Sequence, residues 1–179
     1  MASFTRPNLR QAQEVLSKQL ARAPAHLADG LARAVRSAPD EGLEQLMRTP
    51  VRRAVLEAIF WQLPQHFDSK GAAGTEATIR WRITGRPGGA ADTYELQIAD
   101  GRCRVRRGEG DRHPRLTITL AAAELVRLAT GNSDPMNAYL RGRVVLSGDL
   151  MLAARLRPLF RIPGRTQPRQ TVRTVSSSR

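Results

Sequence analysis

The stretch that decides the fold of this 179-residue chain is DPMNAYLRGRVVLSGDLMLAARL, residues 134–156. Asp134 stands just before a proline, a pair typical of a helix start, because the carboxylate can accept hydrogen bonds from the free backbone N–H groups of the first turn. The next segment, RVVLSG, indicates a strand, and Asp149 is placed to cap a closing helix in LMLAARLRPLF. Gly142 and Gly148 lie at the two junctions. The stretch therefore predicts a helix, a strand and a second helix in close succession.

The residues before this stretch alternate between apolar and polar side chains, as half-buried strands do. ATIRWRITGRPGGA places Trp81 on one face and its flanking arginines on the other, and DTYELQIADGRCRVRR continues the pattern through Leu96. The dipeptide Asp100-Gly101 between two such runs is typical of a tight two-residue hairpin. PRLTITL adds a fourth run, so we expect four strands in a meander, followed by a helix in AAAELVRLATG. With the fifth strand, this order predicts an α+β fold: a five-stranded, mainly antiparallel sheet covered by helices.

The first 67 residues show the three- and four-residue apolar spacing of amphipathic helices. Ser37 is a start signal for one of these helices, and Pro50 is expected to separate two of them, because proline removes a backbone hydrogen bond. Beyond residue 161 the chain is rich in Pro, Ser, Thr and Arg without an apolar period, which is typical of disorder. We therefore expect a helical extension (1–67), an α+β domain (68–161) and a basic disordered tail (162–179).

The charge of the chain is strongly biased, with 29 Lys and Arg against 16 Asp and Glu and a net charge of +13. This surface suits an anionic partner, although an arginine-rich and alanine-rich composition is also how a GC-rich bacterial genome encodes an ordinary surface. Nucleic acid is disfavoured, because aromatic residues are only 4% of the chain and form no stacking platform among the arginines. No acid follows Asp149. We therefore expect contact with an anionic membrane surface through Arg155, Arg157, Arg161 and Arg165. The alternative is that this basic tail only makes the protein more soluble.

Patterns that carry catalysis or hold metals are missing from the sequence. The three histidines have no neighbour at metal-ligand spacing, and Ser147 lacks the first glycine of a nucleophile elbow. Cys103 lies between two arginines that could lower its pKa, but on an alternating strand it points away from them, which favours a core residue. We predict no enzyme activity, no metal and no cofactor. A single cysteine and the lack of a long apolar run predict a soluble, cytoplasmic protein.

A family resemblance is carried by Pro135, Met136, Tyr139, Gly142, Gly148, Asp149, Leu152, Ala153 and Leu156. In this order, and after the strand and helix of PRLTITLAAAELVRLATGNSD, they resemble the sterol carrier protein (SCP2-type) family over about residues 77–160. The resemblance implies a bacterial member whose sheet and helices enclose an apolar tunnel for fatty acids, acyl-CoA or sterols and hopanoids, bound without chemical change. The chain is also similar to lipid-binding accessory proteins of bacterial ubiquinone synthesis, which adds prenylquinones to the expected ligands.

The tunnel implied by the resemblance is expected to lie between the apolar face of the sheet and the helices around residues 134–156. Its methionines would face the interior, where their flexible side chains tolerate varied ligand shapes. The expected lining residues are Trp81, Ile83, Leu96, Ile98, Leu125, Leu128, Met136, Tyr139, Leu140, Leu146, Leu150, Met151 and Ala154. The alternative is a closed core in which these residues pack against one another. The N-terminal helices would then form a homodimer or dock on a lipid-metabolic enzyme.

Overall fold

A computed structural model of the protein describes residues 40–72 and 74–160. The elements are α1 (Asp40–Leu46), α2 (Val51–Gln62), a 3-10 turn (Leu63–His66), β1 (Ala77–Thr84), β2 (Asp92–Ala99), β3 (Arg102–Arg107), β4 (Leu116–Ala121), α3 (Ala122–Ala129), α4 (Pro135–Leu140), β5 (Val144–Gly148) and α5 (Leu150–Leu159). The predicted α+β fold with a five-stranded, mostly antiparallel sheet is confirmed. The expected helix start at Ser37, the earlier amphipathic segments and the basic tail lie outside the described residues.

The five strands form one sheet in the order β3-β2-β1-β4-β5. Neighbouring strands are antiparallel except for β1 and β4, which run parallel. The prediction of a four-strand meander is therefore wrong at β4, which pairs with β1 and not with β3. The physical reason is burial. The apolar residues of β4 gain most beside the buried centre of the sheet, whereas the arginine-rich β3 is better placed at an exposed edge.

The turn between β2 and β3 has the backbone that the sequence predicts. Asp100 has a φ of 51° and Gly101 a φ of 66°. Positive φ at both central residues is the type I′ turn, one of the two turn types whose twist matches the flanking strands of a two-residue hairpin. Two adjacent residues therefore specify the turn between β2 and β3.

One face of the sheet packs against the helices and forms the core. Ile79, Ile83 and Leu96 are fully buried there, as are Leu56 and Phe60 of α2. The break between α1 and α2 falls at Pro50, as predicted. Both helices therefore belong to the same core as the sheet.

The other face of the sheet is polar. Glu95 is fully buried on this face, and its carboxylate accepts two hydrogen bonds from the guanidinium of Arg80 at 2.8 and 3.0 Å. The exposed arginines of this face are Arg82, Arg102, Arg104 and Arg106. The strict alternation in β1 and β3 thus separates an apolar core face from a charged one.

Candidate functional site

Two aspartates fix the segment that the sequence analysis singled out. The side chain of Asp134 accepts hydrogen bonds from the backbone N–H groups of Met136 and Asn137, both at 3.1 Å, and caps α4. Asp149 Oδ1 accepts one from the N–H of Leu152 at 2.8 Å and caps α5. This backbone hydrogen bond, followed by one from Arg115, lowers the pKa of the Asp149 carboxyl. Both predicted caps are confirmed.

Gly148 brings the chain from β5 into α5 through a very close backbone approach. Its φ is 102°, and a β-carbon at this position would overlap the carbonyl oxygen of Arg115. The same carbonyl accepts a hydrogen bond from the N–H of Asp149 at 2.8 Å. Only glycine fits this junction, which fixes where α5 starts.

The residues predicted to line a tunnel fall into three groups. Four are buried in the core: Ile83, Leu96, Ile98 and Leu125. Three are partly buried and pack against that core: Trp81, Leu128 and Leu146. Six are exposed: Met136, Tyr139, Leu140, Leu150, Met151 and Ala154. The structure therefore brings the sheet residues together and places most of the helix residues on the surface.

The outward position of the α5 residues follows from helix geometry. Leu152, Leu156 and Leu159 recur at spacings of four and three, and they face the core. Leu150 and Met151 precede this stripe, and Met151 is 68% exposed. The expectation that Met136, Leu150 and Met151 face an interior differs from what the structure shows. Their contact with a ligand remains a prediction.

The arginines expected to meet a membrane are only partly described. Arg155 is exposed on α5. Arg161, Arg165 and the side chain of Arg157 lie outside the described residues. Their role therefore stays a prediction.

An aromatic cluster in the core was not foreseen as part of the site. Phe60 of α2 stacks on Tyr94 of β2, with ring centroids 4.1 Å apart, and meets Trp81 of β1 edge to face at 5.7 Å. Burial raises the pKa of Tyr94 to about 12. Tyr94 belongs to the same alternating apolar pattern as Leu96, so the sequence pattern could have identified it as a core residue. Phe60 was missed because its helix was assigned to the extension.

A charged group anchors α2 to the end of the sheet. Arg52 is 5% exposed, and its guanidinium donates to Asp92 at 2.8 Å and to the carbonyl oxygens of Ile83 and Thr84 at 2.8 and 3.0 Å. Asp92 also lies 3.8 Å from Arg107. These contacts hold α2, and with it Phe60, over the aromatic cluster.

Two clefts on the described part of the chain are lined mainly by polar and charged residues and by glycine. One, of about 460 Å³, is lined by Gly74, Thr75, Glu76, Asp100, Gly101 and Arg115. The other is lined by Gln97, Ala99, Asp100, Arg102, Arg104 and Arg112. Neither contains a residue predicted to line the tunnel.

The described residues offer few groups for other chemistry. Cys103 is partly buried, and burial raises the pKa of its thiol to about 11, so the less reactive thiol form dominates at neutral pH. Residues 40–72 and 74–160 contain no group of three or more His, Cys, Asp or Glu side chains arranged to hold a metal ion. No helix among them is long and apolar enough to cross a bilayer.

The family model of the SCP-2 sterol transfer family matches residues 57–161, more than half of the chain. The chain belongs to the SCP-2 sterol transfer family. Because the chain belongs to this family, its fold is associated with lipid binding and transfer in general. The match begins at residue 57, before the expected domain boundary at 68, so Phe60 lies inside the matched region. The aromatic cluster is therefore made entirely of residues from the family domain.

Curated relatives share this domain within longer proteins. Stomatin-like protein 1 of Homo sapiens is 28% identical over 124 residues, which are 69% of this chain and 30% of the relative. Sterol carrier protein 2 of Oryctolagus cuniculus is 29% identical over 87 residues, which are 49% of this chain and 16% of the relative. The chain thus spans less than a third of either relative. The functions of their remaining parts are not transferred to this chain.

Among solved structures, the sec-alkylsulfatase Pisa1 from Pseudomonas sp. contains a similar fold. The two are 22% identical, with a TM-score of 0.50, over 57% of this chain and 16% of the sulfatase chain. At this identity the likeness concerns the fold alone. The SCP-2 fold therefore also occurs as one part of a larger enzyme.

Proposed function

We propose that the protein binds and transfers a lipid-like ligand without changing it chemically. The observation that carries this proposal is the family match, which includes the apolar sheet face and the helices packed on it. Fatty acids, acyl-CoA, sterols, hopanoids and prenylquinones are the candidate ligands. An interior apolar site between the sheet and the helices is the proposed location.

The apolar face of the domain can supply enough binding energy for this function. Burial of a methylene group contributes about 0.8 kcal/mol, so a sixteen-carbon chain gains up to about 12 kcal/mol before association costs are subtracted. Micromolar affinity requires about 8 kcal/mol. An association cost of at least about 4 kcal/mol leaves about 8 kcal/mol, so micromolar binding needs essentially the whole sixteen-carbon chain to be buried.

Native mass spectrometry of the gently purified full chain tests the proposal directly. We expect a co-purifying lipid or quinone, and micromolar binding of a fluorescent fatty acid. Failure to bind every acyl, sterol and prenyl ligand offered would rule out the function.

The exposed residues of the predicted lining can be tested by polar substitution. Met136→Gln and Met151→Gln are expected to weaken binding of the fluorescent fatty acid by about fivefold, because each places a polar group against the ligand. Leu46→Gln is the matched control, since Leu46 is also exposed, at 45%, and lies outside the predicted lining. Equal affinity of all three variants and the parent protein would remove Met136 and Met151 from the site.

A second candidate function is an interaction domain with a closed core. It is favoured by the tight burial of Leu56, Phe60, Ile79 and Leu96 and by the outward position of most predicted helix residues. The N-terminal helices would then form a homodimer or dock on a lipid-metabolic enzyme. Size measurement at micromolar concentration separates the two functions. A dimer that binds no lipid supports this second function, and a lipid-loaded monomer supports the first.

We further propose that Arg155, Arg157, Arg161 and Arg165 contact an anionic membrane during transfer. Each arginine near such a surface contributes about 1 kcal/mol. Replacing all four with Gln should abolish sedimentation with vesicles that contain phosphatidylserine. The control replaces Arg82, Arg102, Arg104 and Arg106, which lie on the polar sheet face, and it carries the same change of charge. An equal loss in both variants would show that only net charge matters.

A further inference from the structure

Two buried polar groups lie side by side on the core face of the sheet. Trp81 and Tyr94 are register partners on β1 and β2. The indole Nε1 of Trp81 and the hydroxyl of Tyr94 are buried, and neither has a hydrogen-bond partner in the described part of the chain. Tyr94 is 0% exposed. Two paired residues of the sheet therefore each hold a buried donor without an acceptor.

Such a pair calls for an explanation, because nearly all buried polar groups in folded proteins have a hydrogen-bond partner. Phenylalanine at either position would keep the ring and avoid the cost of a buried donor without an acceptor. Their neighbour Phe60 offers only the face and edge of an aromatic ring. The two unpartnered groups therefore lower the stability of the ligand-free core, and a ligand that supplies an oxygen acceptor would offset that cost.

The surroundings of the pair indicate the charge of that ligand. The charged groups that act most strongly on Tyr94 are Arg107 and Arg53, which favour a negative charge there, and Glu57 and Asp92, which oppose it. Both cations already pair with carboxylates, Arg107 with Glu57 and Asp92 at 3.6 and 3.8 Å and Arg53 with Glu57 at 2.9 Å, while burial disfavours any ion. An ionised carboxylate would have to compete with these ion pairs. An uncharged oxygen acceptor loses little on burial and gains both hydrogen bonds.

We infer that the Trp81 indole and the Tyr94 hydroxyl receive the polar end of the lipid, donating hydrogen bonds to a neutral oxygen such as a ketone, quinone, ester or sterol-type hydroxyl. This inference rests on the proposed lipid-binding function and adds a preference to it. The apolar part of the ligand would lie along the sheet face, and its oxygen would lie under α2. Phe60 packs against both rings, so its side chain must turn aside when the ligand enters.

Displacement of a hydrocarbon dye tests the preference in the full-length protein. Diphenylhexatriene has no polar end and serves as the probe, and 2-heptadecanone, heptadecane and palmitate compete with it. We expect the ketone to displace the dye at a concentration about 25-fold lower than heptadecane, since each of the two hydrogen bonds contributes about fivefold. Palmitate at pH 8 should compete less well than the ketone.

Two substitutions locate the effect. Tyr94→Phe should lower the advantage of the ketone over heptadecane by about fivefold, and Trp81→Phe should do the same. Trp61→Phe is the matched control, since Trp61 is 37% exposed on α2 and lies outside the cluster, and it should retain the full advantage. A control that loses the advantage equally would overturn the inference.

The stability of the ligand-free protein is a second measurement. If the Tyr94 hydroxyl had a structural role, its removal would lower this stability. Tyr94→Phe removes an unpartnered buried hydroxyl, so its midpoint of unfolding in urea should equal or exceed that of the parent protein. A lower midpoint together with an unchanged ketone advantage would overturn the inference and make the hydroxyl structural. Absence of binding of the dye and of every acyl, sterol and prenyl ligand would instead overturn the proposed function itself. Dye binding without a ketone advantage would overturn only the inference.

Discussion

Gly148 lies where the backbone leaves no room for a side chain. Its φ of 102° lies in a region that residues with a side chain rarely adopt, and a β-carbon would overlap a backbone carbonyl oxygen that cannot move without shifting β4. The sequence pattern identified it as a turn glycine. That only glycine fits at this position follows from the close approach of Arg115, which is 33 positions earlier in the chain.

Gly148→Ala is expected to lower the free energy of unfolding by about 3 kcal/mol, because backbone strain and overlap add up. Urea denaturation followed by circular dichroism measures the loss. Gly88→Ala is the control, since Gly88 also has a positive φ, 83°, but no atom within 4 Å of the added carbon. It should cost only about 1 kcal/mol. Equal losses in the two variants would contradict the argument from overlap.

Asp149 links stability to pH. The hydrogen bonds from Leu152 and Arg115 lower its pKa in the folded protein below the usual value of 3.8. A lowered folded-state pKa gives stability that is present above the unfolded pKa and is lost as the pH falls through the folded one. The Tm of the parent protein should therefore drop below about pH 4, and that of Asp149→Asn should drop less steeply. Melting curves at pH 6 and pH 3 check this, and identical slopes would contradict it.

At the scale of elements, the sheet order is the feature that sequence patterning did not supply. The alternation of β4 shows that it is a strand, but β1 and β3 offer equally alternating partners. The choice of β1 depends on burial in the finished sheet, where Leu116 and Leu120 gain neighbours on both sides. Partner choice is a non-local property, whereas alternation is a local one.

One buried charged side chain, Arg52, anchors helix α2 to the end of the sheet. Arg52→Met should lower the free energy of unfolding by about 3 kcal/mol, because it leaves two strand carbonyls without this donor and leaves the nearly buried Asp92 only its longer contacts to Arg86 and Arg107. Arg53→Met is the control. Arg53 is half exposed and pairs with Glu57 one turn away, a type of contact worth about 0.5 kcal/mol. Thermal unfolding of the two variants measures the difference, and a similar loss in both would show that Arg52 is not the anchor.

At the scale of the whole molecule, α1, α2 and the sheet share one hydrophobic core. Leu56 and Phe60 are both fully buried against the strands. Without these helices, one side of the sheet would expose its largest apolar side chains to water. The aromatic cluster would lose the ring of Phe60, which α2 contributes.

A fragment of residues 68–160 is therefore expected to lose cooperative unfolding and to bind a dye that reports exposed apolar surface, such as anilinonaphthalene sulfonate. A fragment of residues 40–160 should unfold in one transition and bind little dye. Calorimetry and dye fluorescence compare the two. A sharp transition in the shorter fragment would show that the domain folds without α1 and α2.

The sequence by itself determined the features that depend on near neighbours. The caps at Asp134 and Asp149, the hairpin at Asp100-Gly101 and the break at Pro50 all follow from the chemistry of a few adjacent residues, and the structure confirms them. The family resemblance rested on the same short-range order and is confirmed. Only the tertiary structure decided which strands pair, which helix residues are covered and which polar groups lack partners. These outcomes depend on groups distant in the sequence, as the meeting of Phe60 with Tyr94 and Trp81 does, and a local pattern carries no information about them.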